Sequence, residues 1–216
     1  MTTYYKITAA DGAPIHGGTG KWSLPKGDKP GAWRSVKGDL VPCENGLHVV
    51  EAKDLPRWVA TDAVAWEVET AGTTLSWWGM DVVRRARLTR KVGTLTREVL
   101  VAWACDCAER ALPIYEAKHP DDDRPHKALA TTRAWLRGEA TIDQVRAAAR
   151  AAAAAAVYAA AYAAVYADLA AAYAAYAAAH AADHADAADH ADHAAYAAER
   201  QWQGERLLAI LEGDKG

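Results

Sequence analysis

Six side chains toward the C-terminus have the types and spacing of a metal site: His180, Asp183 and His184, then Asp186, His190 and His193. On a helix, His180 and His184 stand one turn apart with Asp183 alongside, and Asp186, His190 and His193 come next at i, i+4 and i+7. Imidazole nitrogens and carboxylate oxygens on one face are the ligands that zinc and related ions take. A single helix supplies only two or three of them, so a second chain would have to complete the sphere. The plainer reading is that Asp and His keep the surface of an alanine repeat wet, and on it no metal and no cofactor is assigned. Elsewhere the chemistry is thin. Cys43, Cys105 and Cys107 form no Cys-x-x-Cys pair, and Cys105 and Cys107 fall on opposite sides of a helix. They read as reduced, structural thiols of a cytoplasmic protein. Gly17-Gly18-x-Gly20 lacks the Gly-Lys-Ser/Thr ending and the adjoining helix of a phosphate loop.

The elements that would position such groups divide the chain near residue 92. Residues 1–92 read as a small β-rich module. Tyr4 to Thr8 is a β-branched and aromatic run closed by the Asp11-Gly12 turn. From Pro14 to Pro42 the chain is too rich in Gly and Pro to be helical, and Trp22 and Trp33 are expected to pin it against the sheet. Leu47 to Val50 reads as a strand after the Asn45-Gly46 turn. A short helix comes next, with Asp54 as its N-cap and Pro56 in its first turn. Val64 to Glu69 alternates apolar and charged, and Asp81 to Val92 is a last strand. Its Arg84, Arg85, Arg87, Arg90 and Lys91 read as a solvated edge strand, with an acidic partner as the alternative.

The segments GGTGKWSLP, PGAW, LVPCENGLHVV, WEVE and VVRRARL resemble a domain of phage and bacterial proteins, over roughly Tyr4 to Lys91. That resemblance implies no activity. Gly46-Leu47-His48-Val49, succeeded by a short helix and a Val-rich strand, is similar in layout to the core of ADP-ribosyltransferases. Ile15-His16-Gly17-Gly18 resembles the His-Gly of that fold's first strand. This likeness implies a pocket for an NAD derivative near His48, with His16 and His48 as site residues and Glu67 as a candidate glutamate. His16 nevertheless comes after Pro14 in a turn-rich segment, and both histidines also read as ordinary loop and strand residues. Fold analogy alone does not make a site.

Residues 93–216 read as helical. Leu95 to Lys118 is an amphipathic helix capped by Thr96, with a kink or break expected at Pro113. Asp123 is expected to cap the next helix, which ends at Gly138 as its C′ residue. Thr141-Ile142-Asp143-Gln144 is the capping box of a third helix. CDCAERALPIYE, the DDDRP turn, RAWLRGEAT and the alanine tract resemble putative immunity proteins of bacterial polymorphic-toxin systems, over roughly Thr96 to Leu211. The resemblance implies an all-helical domain that binds a cognate toxin and catalyses nothing.

Between Ala147 and Ala198, 33 of 52 residues are alanine, and no Gly or Pro falls between Gly138 and Gly204, so about 141–203 reads as one long helix. From Tyr158 the larger side chains recur in elevens, as Tyr158, Tyr162, Tyr166, Leu169, Tyr173 and Tyr176. An eleven-residue repeat runs at about 3.67 residues per turn, so these side chains form one stripe for a packing helix. A straight helix of this length spans roughly 90 Å, far beyond the ~17 Å radius of gyration of a compact chain of this size. It must protrude, pair with another copy or fold back. Beyond it, Gly204 reads as a slight bend, and Trp202, Leu207, Leu208, Ile210 and Leu211 as a face docking around Trp103 and Trp135.

Charge narrows the partners. Residues 1–140 carry a net +2 and residues 141–216 a net −5, within a total of −3. An acidic alanine helix is a poor ligand for nucleic acid. Asp168 interrupts the uncharged run from Ala151 before a membrane span is reached. The expected protein is therefore an α+β, non-enzymatic interaction protein of phage or bacterial origin, binding a toxin or further copies of itself, with no nucleic acid and no membrane. The alternative is an ADP-ribosyltransferase-like or NAD-derivative-binding protein.

Overall fold

The computed structural model describes residues 2–77, 79–117, 120–153 and 191–213. The fold is α+β, and the chain divides into two units, Met1–Leu95 with Ala197–Gly216, and Thr96–Tyr196.

The first unit is built on an antiparallel sheet of β1 (Tyr4–Thr8), β2 (Arg34–Ser35), β3 (Leu47–Val49), β4 (Val64–Trp77) and β5 (Met80–Thr94). β4 and β5 form a long hairpin; β1 pairs with the outer edge of β4, while β2 and β3 share the other edge of β5. The sheet then closes on itself. Tyr5 N–H donates to Val50 O at 2.8 Å and Val50 N–H to Tyr5 O at 3.0 Å, joining β1 to the end of β3. Tyr4 Oη reinforces this seam by donating to Asp81 Oδ2 at 2.6 Å. Closure covers the edge of β1 that would otherwise invite pairing with other chains.

Alternation decides what fills the interior. Val64, Trp66 and Val68 of β4, Leu47 and Val49 of β3, and Val83, Ala86 and Leu88 of β5 form one buried cluster with Trp22. Trp66 keeps its indole N–H satisfied by donating to Thr8 Oγ1 at 2.9 Å. Trp22 thus pins the Gly/Pro-rich segment as expected. Trp33 is only half-buried, with the Arg85 and Arg87 guanidinium groups 4.9 and 4.7 Å from its ring centre. The basic strand is not an edge strand, because β5 is paired on both sides. Its charges are matched in register: Glu67 pairs with Arg90 at 2.5 Å and Glu69 with Arg87 at 2.6 Å, and Arg90 also takes Glu212 at 2.7 Å.

Between β3 and β4 lies a 3₁₀ helix, Ala52–Trp58. Asp54 is not its N-cap; Glu51 holds that place, and Asp54 is buried within the helix. Its partner is Arg200, which donates to Asp54 Oδ1 at 2.5 Å and to Lys53 O at 3.2 Å. Arg200 belongs to α4 (Ala191–Glu212), whose residues from Ala197 onward join the sheet unit. The helix runs unbroken through Gly204, whose role is close approach. A Cβ there would stand 1.9 Å from Ala52 O, so the helix backbone lies directly on the 3₁₀ helix. A Cβ on Gly93 would likewise meet Leu211 O at 2.8 Å. Leu207 between these contacts is fully buried. The contacts that the described part of this helix makes within its own unit are thus with the 3₁₀ helix and β5.

The second unit holds α1 (Arg97–Glu116), α2 (Arg124–Leu136) and α3 (Ile142–Ala153). Thr96 Oγ1 accepts from Val99 N–H at 3.3 Å, the expected cap. α1 runs on through Pro113 to Glu116 rather than breaking there. Asp123 holds the expected N-cap position of α2, but its side chain makes no capping hydrogen bond; Asp122 serves instead, its Oδ1 accepting from Arg124 N–H at 3.1 Å and its carboxylate from Tyr115 Oη at 2.6 Å. The Arg124 guanidinium, which also donates to Asp122, and then Tyr115 Oη hold the Asp122 carboxyl well below the usual carboxylate range. α2 ends in the expected way, with Gly138 at φ 78° and Glu139 N–H returning to Ala134 O at 2.8 Å. The capping box of α3 is reciprocal, Thr141 N–H to Gln144 Oε1 at 2.7 Å and Gln144 N–H to Thr141 Oγ1 at 3.3 Å. Arg133 of α2 grips Asp106 at 2.6 Å and both carboxylate oxygens of Glu109 on α1. The long helix expected over about 141–203 is described only at its ends, in α3 and α4; residues 154–190, with the Tyr/Leu stripe, lie outside the described residues. No described helix is long and apolar enough to cross a membrane.

Candidate functional site

Closure of the sheet at Tyr5 and Val50 leaves a pocket on its outer face. On β1 and β3, side chains alternate, so residues facing away from the Trp22 cluster line one wall: Tyr5 and Ile7, with Gly46, His48 and Val50. Segment 14–18 and Cys43-Glu44 close the rim, Trp58 and Met80 the far side, around a volume of about 240 Å³. Gly46 is required here by close approach, since a Cβ would fall 2.1 Å from Val82 Cγ1.

Two histidines meet in this pocket, and backbone partners fix the proton on each. His16 Nε2 lies 2.8 Å from Trp58 O, an atom that only accepts, so His16 carries its proton on Nε2. His48 Nε2 lies 3.0 Å from Cys43 N–H, which only donates, so this nitrogen of His48 is bare and its ring proton sits on Nδ1. Burial, and secondarily the Lys6 charge, push the His48 imidazole down from its ordinary value, which favours that neutral form. The His16 ring stands edge-on to Trp58, with ring centres 5.5 Å apart.

Beneath the seam, Lys6 donates to His48 O at 2.9 Å, and its ammonium stands 5.9 Å from the Trp22 ring centre. Arg34 stands over the same ring at 5.0 Å and donates to Thr19 O and Gly20 O. Neither cation has a carboxylate partner among the described residues. Burial, then Arg34, lower the Lys6 amine to about 8. Folding therefore costs free energy while Lys6 is charged. Lys6→Met is expected to raise the Tm at neutral pH, by about 1–2 kcal/mol of stability after the lost hydrogen bond is counted. The sign comes from proton binding. Between about pH 8 and 10.4 the unfolded chain still holds a proton that the folded one has released, so native stability rises with pH in that window. The advantage of the methionine should shrink across it, as thermal melts at several pH values would read.

Of the residues singled out for NAD chemistry, the fold brings His16 and His48 together and leaves Glu67 apart. Glu67 lies on the outer surface of β4, paired with Arg90. Gly17 and Gly18 line the rim of the pocket, both at positive φ. Cys105 and Cys107 are buried thiols; burial pushes Cys105 up to about 12. Tyr158, Tyr162, Tyr166, Leu169, Tyr173 and Tyr176 lie outside the described residues, as do His180, Asp183, His184, Asp186 and His190 and the side chain of His193. Sequence reasoning does not find Tyr5, Trp58 and Met80 as pocket residues. Only the period-two alternation of β1 hints that Tyr5 and Ile7 face away from the Trp22 cluster.

Residues 90–210 match a family model described as Imm-5 like putative immunity protein. Neither the curated proteins nor the solved structures gave a significant match.

Proposed function

Because the chain belongs to the Imm-5 like putative immunity protein family through residues 90–210, we propose that it acts by binding a cognate toxin and catalyses no reaction of its own. The family match is the observation that carries this reading. The helices of the matched region support it. α1 and α2 are tied by Arg133 to Asp106 and Glu109, while Lys127 and His126 stay exposed on α2, giving a fixed scaffold with a charged rim. Such rims steer encounter and set partner choice more than they add affinity. Tyr158 to Tyr176 supply the packing stripe of the alanine-rich segment, used either for the toxin or for a second copy of the chain. Residues 1–92 form the accompanying module of phage or bacterial type, residues 93–216 the binding domain, and the protein works in the cytoplasm.

Co-expression with the cognate toxin tests this. A stoichiometric complex is expected, with growth restored and the toxin active again once separated. A toxin recovered covalently altered, or growth restored without a complex, would overturn it. Light scattering on the free protein decides the second part: a monomer removes the homo-oligomer and leaves the toxin as the stripe's partner.

A further inference from the structure

The pocket between β1 and β3 lies wholly within the first unit and is independent of the immunity reading of residues 90–210. Its two histidines are set as opposites. With Nε2 of each ring engaged by the backbone, His48 offers Nδ1–H as a donor and the Nε2–H tautomer of His16 offers bare Nδ1 as an acceptor. Neither Nδ1 has a protein partner among the described residues. The remaining wall is largely apolar and aromatic, from Tyr5, Ile7, Ile15, Val50, Trp58 and Met80, with Lys6 and Glu44 as its two charged residues. The Trp58 Nε1–H is buried and makes no hydrogen bond. Buried donors left unmade cost on the order of 1–3 kcal/mol, and such costs persist mainly where a site uses them.

A fixed donor and a fixed acceptor inside apolar walls match the edge of an amide rather than an anion. The two charged residues of the lining, Lys6 and Glu44, are of opposite sign, and the Lys6 ammonium is engaged by His48 O, so the pocket offers no net charge to select an anion. The volume of about 240 Å³ is below the ~300–1,000 Å³ of drug-sized sites and suits one small ring system. We propose that this pocket binds a small, neutral, planar heterocycle bearing an amide, the donor–acceptor edge shared by free nucleobases and nicotinamide, read by His48 Nδ1–H and His16 Nδ1. Specificity would come from the hydrogen-bonding edge, because a site with paired polar groups rejects a ligand that leaves them unmet.

The test uses the full chain with uracil, hypoxanthine and nicotinamide as probes, and toluene and benzoate as controls. Binding is monitored by calorimetry and by the histidine ¹⁵N spectrum. At least one amide should bind and shift the Nδ1 signals of both His16 and His48, and His16→Phe should weaken it about tenfold, the equivalent of one hydrogen bond. His16 is exposed, so this variant is expected to fold. The spectrum of the free wild type gives a check that needs no variant: His48 must be protonated on Nδ1 and His16 on Nε2. The proposal is overturned if none of the three amides binds, if toluene or benzoate binds as well as they do, or if the free rings show the opposite tautomers.

Discussion

Gly204→Ala is expected to destabilise the protein by about 3 kcal/mol, lowering the Tm by roughly 6–12 °C in a chain of this size. Two effects oppose each other at this position. Alanine in a helix interior gains about 1 kcal/mol over glycine, and α4 has no other glycine. Against that, the new methyl would stand 1.9 Å from Ala52 O, 2.4 Å from Ala52 C and 3.0 Å from Lys53 N. All three are backbone atoms, so no side chain can swing aside. The helix must lift from the 3₁₀ segment, thinning the packing of Leu207 and stretching the Arg200 hydrogen bonds a turn away. Packing loss outweighs propensity. Gln201→Ala on the exposed face of the same helix isolates the propensity effect and should change the Tm by little. Equal, small shifts for both variants would show that α4 does not rest on the 3₁₀ helix in solution.

That glycine also shows where sequence reasoning stops. Signals that act over a few residues are legible: Tyr4–Thr8 as a strand, Thr96 as a cap, Gly138 as the end of α2, and the Thr141–Gln144 box. Each depends only on neighbours within one turn. Gly204 has the same local appearance whether it bends a helix or accepts another backbone, because the deciding atom, Ala52 O, lies 152 positions away in the chain. Asp54 reads as an N-cap for the same reason: a local role is available, and its distant Arg200 is invisible. At Asp122 and Asp123 the discrepancy is one residue, since three consecutive aspartates offer the same chemistry and only the turn chooses among them.

The pocket stands between these cases. His16 and His48 emerge from a resemblance, yet the residues that bring them together are the Tyr5–Val50 bridge and the carbonyl of Trp58. Glu67 shares the outward face of the sheet with Tyr5, its partner across β1 and β4, but it does not line the pocket and pairs with Arg90 instead. The pattern predicts the strand and the face, but which residues of that face enclose a pocket is set by closure of the sheet, a pairing between strands more than forty residues apart.

Arg200→Ala should cost about 2–3 kcal/mol near pH 7.5, and the loss should depend on pH in a stated direction. Arg200 and Asp54 side chains are 15% and 7% exposed, so removing the guanidinium leaves a carboxylate largely cut off from water. Lys53 and Arg57 still favour its charged form, which keeps the cost below that of a wholly unpaired buried charge. Even with Arg200 present, burial holds the Asp54 carboxyl above its ordinary value, and Arg200 is the largest influence pulling it back down. Without Arg200 it rises further. The folded variant then binds a proton that the unfolded chain has released, so its stability falls as pH rises through the raised value. The deficit against wild type is therefore full at about pH 7.5 and smaller at about pH 4.5, as Asp54 takes up a proton and needs the cation less. Arg200→Ala combined with Asp54→Asn removes the charge as well as its partner, and should be less destabilised at pH 7.5 than Arg200→Ala alone. Thermal or urea melts of the two variants at both pH values give the comparison. A pH-independent deficit, or a double variant weaker than the single one, would mean that Arg200 holds α4 through Lys53 O and its own packing rather than through the Asp54 charge.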